Sequence, residues 1–82
     1  MQRWYVLIGN TMDNFAIEQE KAKITRIMWP YKPVIVAEAI EDDSFGIIYS
    51  VSATTINLRI IGCGLTLQEA FDDLLMGIRA EA

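Results

Sequence analysis

From Gln2 to Ile8 the chain is almost continuously apolar, with Trp4, Tyr5, Val6, Leu7 and Ile8 in sequence, and Gly9-Asn10 follows. This predicts a strand covered on both faces and closed by a turn. The pattern then changes. Between Thr11 and Trp29, Ile17, Ile24 and Met28 fall on one helical face, and Phe15, Ala22 and Trp29 on another. Glu18–Lys21 and Glu20–Lys23 are opposite charges three apart, and Lys21, Lys23 and Arg26 gather toward the far end, where they suit a helix dipole. The spacing predicts a helix capped by Thr11 or Asp13; with two stripes rather than one, an extended reading of Ala22 to Met28 stays open. Pro30 ends the segment either way, because it disfavours helical geometry at Trp29.

Beyond the stiff connector Trp29-Pro30-Tyr31-Lys32-Pro33 the period falls to two. Val34 to Ile40 reads as a strand and Glu41-Asp42-Asp43-Ser44 as a polar turn. In Phe45 to Ala53, Ile47, Tyr49 and Val51 alternate with Ile48, Ser50 and Ser52. After Thr54-Thr55, Ile56 to Ile61 sets Ile56, Leu58 and Ile60 against Asn57 and Arg59. Alternation across short turns predicts an antiparallel meander with one face on the core.

Gly62-Cys63-Gly64 is expected to break the last strand, and a helix follows. Thr66-Leu67-Gln68-Glu69 forms a capping box, in which the Thr66 hydroxyl accepts from the Glu69 amide and the Glu69 side chain returns to the Thr66 amide. Leu67, Ala70, Phe71, Leu74, Leu75 and Ile78 recur at three- and four-residue spacing, and Gln68, Glu69, Asp72, Asp73, Met76 and Arg79 face away. Gly77 weakens the last turn by about 1 kcal/mol relative to alanine. The whole chain, residues 1–82, therefore reads as a single α+β domain of order β-α-β-β-β-α, an antiparallel sheet with helices on one face.

Composition removes several chemistries. There is no histidine and one cysteine, Cys63. Cys/His zinc sites, the Ser-His-Asp triad and the Cys-His dyad are therefore out of reach. A lone cysteine also forms no internal disulfide, which points to a reducing, cytoplasmic setting. Met1-Gln2-Arg3-Trp4 starts no secretory signal, and the uncharged stretch Ser44–Leu58 is too short and too polar to span a membrane. The net charge of −4 is uneven. Met1 to Ala37 carries five bases and three acids, and Glu38 to Ala82 carries eight acids and two bases. An acidic half repels nucleic acid and attracts a basic partner.

The candidate groups are few. Glu41-Asp42-Asp43 sets three carboxylates in a turn but lacks the glycine and distal glutamate of an EF-hand loop, so a solvated turn is expected and no metal. Glu69, Asp72 and Asp73 make an acidic helix face that either meets a partner or only complements the helix dipole. Gly62-Cys63-Gly64 lacks the lysine of a P-loop and the spacing of a dinucleotide fingerprint, and Cys63 is expected to be a buried, inert thiol. Trp29 and Tyr31 are binding anchors if exposed, and close the core if packed at the sheet edge. No catalytic residue and no cofactor is expected.

The segments Ile35 to Glu38, Glu41-Asp42-Asp43-Ser44-Phe45-Gly46 and Gly64-x-Thr66-x-x-Glu69-Ala70-x-x-x-Leu74 together resemble the core of HicB-type antitoxins. The resemblance covers about half the chain; Met1 to Pro33 has no counterpart in it. It implies a sheet like that of double-stranded-RNA-binding domains or of RNase H, which binds and neutralises a partner protein. From Thr11 onward the expected order also matches that RNA-binding domain. Acids stand where its basic residues belong, so no direct nucleic-acid contact is expected.

The expectation is a non-catalytic protein-binding module of antitoxin or inhibitor type. The partner would be a nuclease or toxin with a basic surface, and a second copy of the chain is an alternative. The contact residues expected are Gln68, Glu69, Asp72, Asp73, Met76, Glu41, Asp42, Asp43, Trp29 and Tyr31, with Asp72 and Asp73 replaceable without loss of folding. The alternatives are a small phage-encoded, anti-CRISPR-like inhibitor that mimics nucleic acid with its carboxylates, and, least favoured, a carboxylate-metal hydrolase.

Overall fold

A computed structural model of the chain describes residues 12–81. The strand expected over Gln2 to Ile8, the Gly9-Asn10 turn and the Thr11 cap lie outside the described residues. Within them the order is α1 (Asn14–Ile27), β1 (Val34–Asp42), β2 (Gly46–Thr54), β3 (Arg59–Gly64) and α2 (Leu67–Glu81). The strands form one antiparallel sheet in the order β1-β2-β3.

In the segment expected to be helical, α1 runs from Asn14 to Ile27, so Ala22 to Ile27 is helix and Met28 is its C-cap. Asp13 is the cap: its Oδ1 accepts the Ala16 N–H at 2.8 Å. Lys21 and Lys23 lie 3.5 and 3.2 Å from Glu18 and Glu20. Of the two apolar stripes, Ile17, Ile24 and Met28 are buried, whereas Phe15, Ala22 and Trp29 are exposed. The Met28 N–H closes on Ile24 O, and a cis Trp29–Pro30 bond leads into the connector.

β1 and β2 pair without a bulge from Val34↔Thr54 to Asp42↔Gly46. The strand runs two residues past Ile40, so Glu41 and Asp42 belong to β1 and only Asp43 of the three acids sits in the turn. Asp42 closes that turn, its Oδ2 accepting the N–H groups of Ser44 and Phe45 at 2.9 Å each. Gly46 follows with φ of +84°, a left-handed conformation that side chains with a Cβ resist.

The third strand lies three residues later than its alternation suggests. Thr55 donates its N–H to Leu58 O at 2.8 Å and turns the chain over residues 55–58. Ile56 is 98% exposed as a result. The strand instead runs through Gly62-Cys63-Gly64, which was expected to break it. Gly62 and Gly64 alternate inward with Ile60, and helix α2 lies directly on them. A Cβ on Gly62 would overlap Leu74 N and Ala70 O; one on Gly64 would come within 2.8 Å of Ala70 N. Glycine is needed here for close backbone approach rather than for turning.

α2 follows its sequence pattern. Leu67, Ala70, Phe71, Leu74, Leu75 and Ile78 are all buried, and Thr66 Oγ1 accepts the Glu69 N–H at 3.1 Å. The return bond is shifted by one residue, since Glu69 Oε1 accepts from Leu65 N at 3.0 Å. Gly77 also has a packing role, because a Cβ there would sit 3.0 Å from the Ile60 side chain.

The core is a single layer. Ile17 and Ile24 of α1 and the apolar stripe of α2 join Ala37, Ala39, Tyr49, Val51 and Ala53, which all point to one face of the sheet. Both helices therefore cover that face.

Candidate docking surface

The face of the sheet opposite the helices carries large apolar side chains. Alternation sends Val34, Val36, Glu38 and Ile40 of β1 to this face, with Ile48, Ser50, Ser52 and Thr54 of β2 and Arg59, Ile61 and Cys63 of β3. The register arranges them in rows: Val36–Ser52–Ile61, Glu38–Ser50–Cys63 and Ile40–Ile48. Val34 is 64% exposed, Ile40 and Ile61 each 49%, and Val36 45%. Phe45 adds an exposed ring at the turn. On β1 the size order is inverted, with the valines and Ile40 outside and the small Ala37 and Ala39 inside. This is why patterning did not reveal the face: apolar residues occupy both parities of β1, and their period alone cannot say which parity meets the helices.

The residues expected to contact a partner do not form one site. The register places the β1–β2 turn and the start of α2 at one end of the sheet and Trp29 and Tyr31 at the other. At the acidic end, several carboxylates already have partners. Asp73 Oδ2 accepts the Cys63 N–H at 3.0 Å, and Glu69 Oε1 that of Leu65. Asp72 Oδ1 accepts from Gln68 Nε2 at 3.1 Å, and Asp42 holds the turn. Asp43 is exposed at the turn, and Met76, 68% exposed, lies farther along α2 beside Gly77, which packs near Ile60. At the other end Trp29 and Tyr31 are 66% and 58% exposed. They border a shallow groove whose floor includes Met28, Ile60 and Ile78.

Among the described residues no three acids or cysteines converge on a point where a metal ion could sit. Cys63 is exposed on β3 rather than buried, because the inward positions on either side of it are the glycines under α2. No helix among the described residues is long and apolar enough to cross a membrane. Compared with protein-family models, with curated proteins and with solved structures, the chain matches none.

Proposed function

We propose that this chain is a non-catalytic protein-binding module of antitoxin or inhibitor type, working in the cytoplasm and neutralising a partner protein with a basic surface. The observation that carries the reading is the open sheet face, where Val34, Val36, Ile40 and Ile61 stand exposed on a regular strand array. Clustered apolar side chains on a rigid sheet, ringed by polar groups, mark surfaces that bury another protein. The order α-β-β-β-α supports the resemblance to the HicB-type core, in which the same strands and final helix occur in that sequence. Glu38 stands on this face and Asp43 in the turn at its end, and both suit a basic partner. A mimic of nucleic acid would need a row of uncommitted carboxylates, and Glu69 and Asp73 are turned onto the backbone of Leu65 and Cys63 instead.

The test is capture of a partner by the folded wild-type chain and by Val36→Asp/Ile61→Asp. The reading expects the wild type to retain a protein that the variant loses, with unchanged thermal melts. Retention of the same protein by both would overturn it.

A further inference from the structure

The two edges of the sheet are finished differently. At the β3 edge, Asp73 of helix α2 accepts the N–H of Cys63. Because Cys63 turns its N–H outward, the alternation of an antiparallel ladder fixes every other bonding direction. Tyr49, Val51 and Ala53 of β2 bond toward β3, so Ile48, Ser50 and Ser52 bond toward β1. On β1 this leaves Ile35, Ala37 and Ala39 with N–H and C=O groups aimed away from the sheet. None of the three has a hydrogen-bond partner there among the described residues.

This β1 edge is nine residues long and without a bulge. It contains no proline, lysine or arginine. Prolines, bulges and charges are the devices by which sheets blunt an exposed edge; β1 has no proline or bulge, and its charges, Glu38, Glu41 and Asp42, are all acidic, so they oppose an acidic strand and not a basic one. Among the described residues, α2 caps the outward Cys63 N–H on one edge, and no side chain caps the outward groups of β1 on the other.

We infer that β1 takes up an extended segment of a partner protein by strand addition, with a basic side chain beside Glu38 and apolar side chains beside Val36 and Ile40. This rests on the protein-binding reading above and specifies how the partner is held. The backbone of Ile35, Ala37 and Ala39 supplies the ladder, and alternate side chains on the open face supply the selectivity. Glu38 is exposed between two apolar neighbours on its own face, its row continues into Ser50 and Cys63, and it has no ion-pair partner among the described residues. A second copy of the chain is a poor occupant. β1 carries Glu38, Glu41 and Asp42 and no base, so self-pairing would set acids against acids, which destabilises a ladder.

The experiment uses the full-length chain and two seven-residue peptides. Both have threonine at the odd positions and valine at positions two and six; position four is lysine in one and glutamate in the other. Amide exchange is read at Ile35, Ala37 and Ala39. The lysine peptide is expected to slow exchange at these three amides and to bind about fivefold more tightly than the glutamate peptide. Glu38→Lys should reverse that order. Three results would overturn the inference: the amides are already protected in the isolated chain, neither peptide protects them, or Glu38→Lys leaves the peptide order unchanged. In the first case sedimentation tells what fills the edge, a monomer meaning the chain's own residues and a dimer a second copy. The broader reading fails by a different result, namely a captured partner that Val36→Asp/Ile61→Asp retains.

Discussion

Asp73 Oδ2 accepts the backbone N–H of Cys63 at 3.0 Å, joining a surface carboxylate of α2 to the outer edge of β3. Glu69, one helical turn earlier, accepts the N–H of Leu65, just before the helix. The acidic face of α2 is therefore partly structural, and Asp73 differs from its neighbour Asp72, whose recorded bond is to the side chain of Gln68. Asp73→Ala should lower stability by about 1–2 kcal/mol, as the loss of a charged acceptor does. Asp72→Lys should change it by less than about 0.5 kcal/mol. Denaturant midpoints decide this, and equal midpoints for the two variants would remove the structural role of Asp73. The expectation that both acids are replaceable without loss of folding thus carries a stability cost at Asp73.

Gly62 and Gly46 serve different needs, and alanine separates them. At Gly62 a methyl group meets the backbone of Ala70 and Leu74, which can give way only if helix and strand separate. Gly62→Ala should cost about 3 kcal/mol or more, at the upper end of overpacking effects. At Gly46 there is open space but a φ of +84°, so alanine there should cost about 1–2 kcal/mol. Thermal melts showing the reverse order would contradict the account of how α2 seats on β3.

Thr66→Ala should cost about 1 kcal/mol through loss of the bond from the Glu69 amide. Thr66→Ser should keep most of it. If serine and alanine destabilise equally, the hydroxyl is not the capping group.

Divalent cations should leave stability unchanged. Asp42 is occupied by the N–H groups of Ser44 and Phe45, and no three described ligands converge. A site held at a hundred times its dissociation constant would add about 2.7 kcal/mol. A rise of several degrees in melting point with millimolar calcium would contradict this.

How far the sequence could be read differs from element to element. The extent, cap and buried stripe of α2 were legible because cap, spacing and outward charge all agree; only the return bond of Glu69 moved, from Thr66 to Leu65. β3 was misplaced because Ile56, Leu58 and Ile60 alternate like a strand while Thr55 and Leu58 are committed to a turn; a local hydrogen bond outweighed the period. Its glycines looked like a break because their role depends on how closely α2 approaches, which no local pattern encodes. The exposed stripe Phe15, Ala22 and Trp29 was visible as a second face, but which stripe is buried is settled by contact with the sheet. For the candidate surface, the acids and aromatics were legible as residue types. The open face was not, because it arises from a strand, β1, that is apolar on both sides and helices that cover only one.

The central claim is that binding resides on the open face rather than on any exposed apolar residue. The most direct measurement is the affinity of the captured partner for the wild type, Val36→Asp and Phe15→Asp. Phe15 is 71% exposed on α1, away from the open face, and serves as the control. The account predicts that Val36→Asp weakens binding by about tenfold or more and that Phe15→Asp changes it by less than about twofold. Full affinity in Val36→Asp together with a loss in Phe15→Asp would contradict it and move the interface to the outer face of α1.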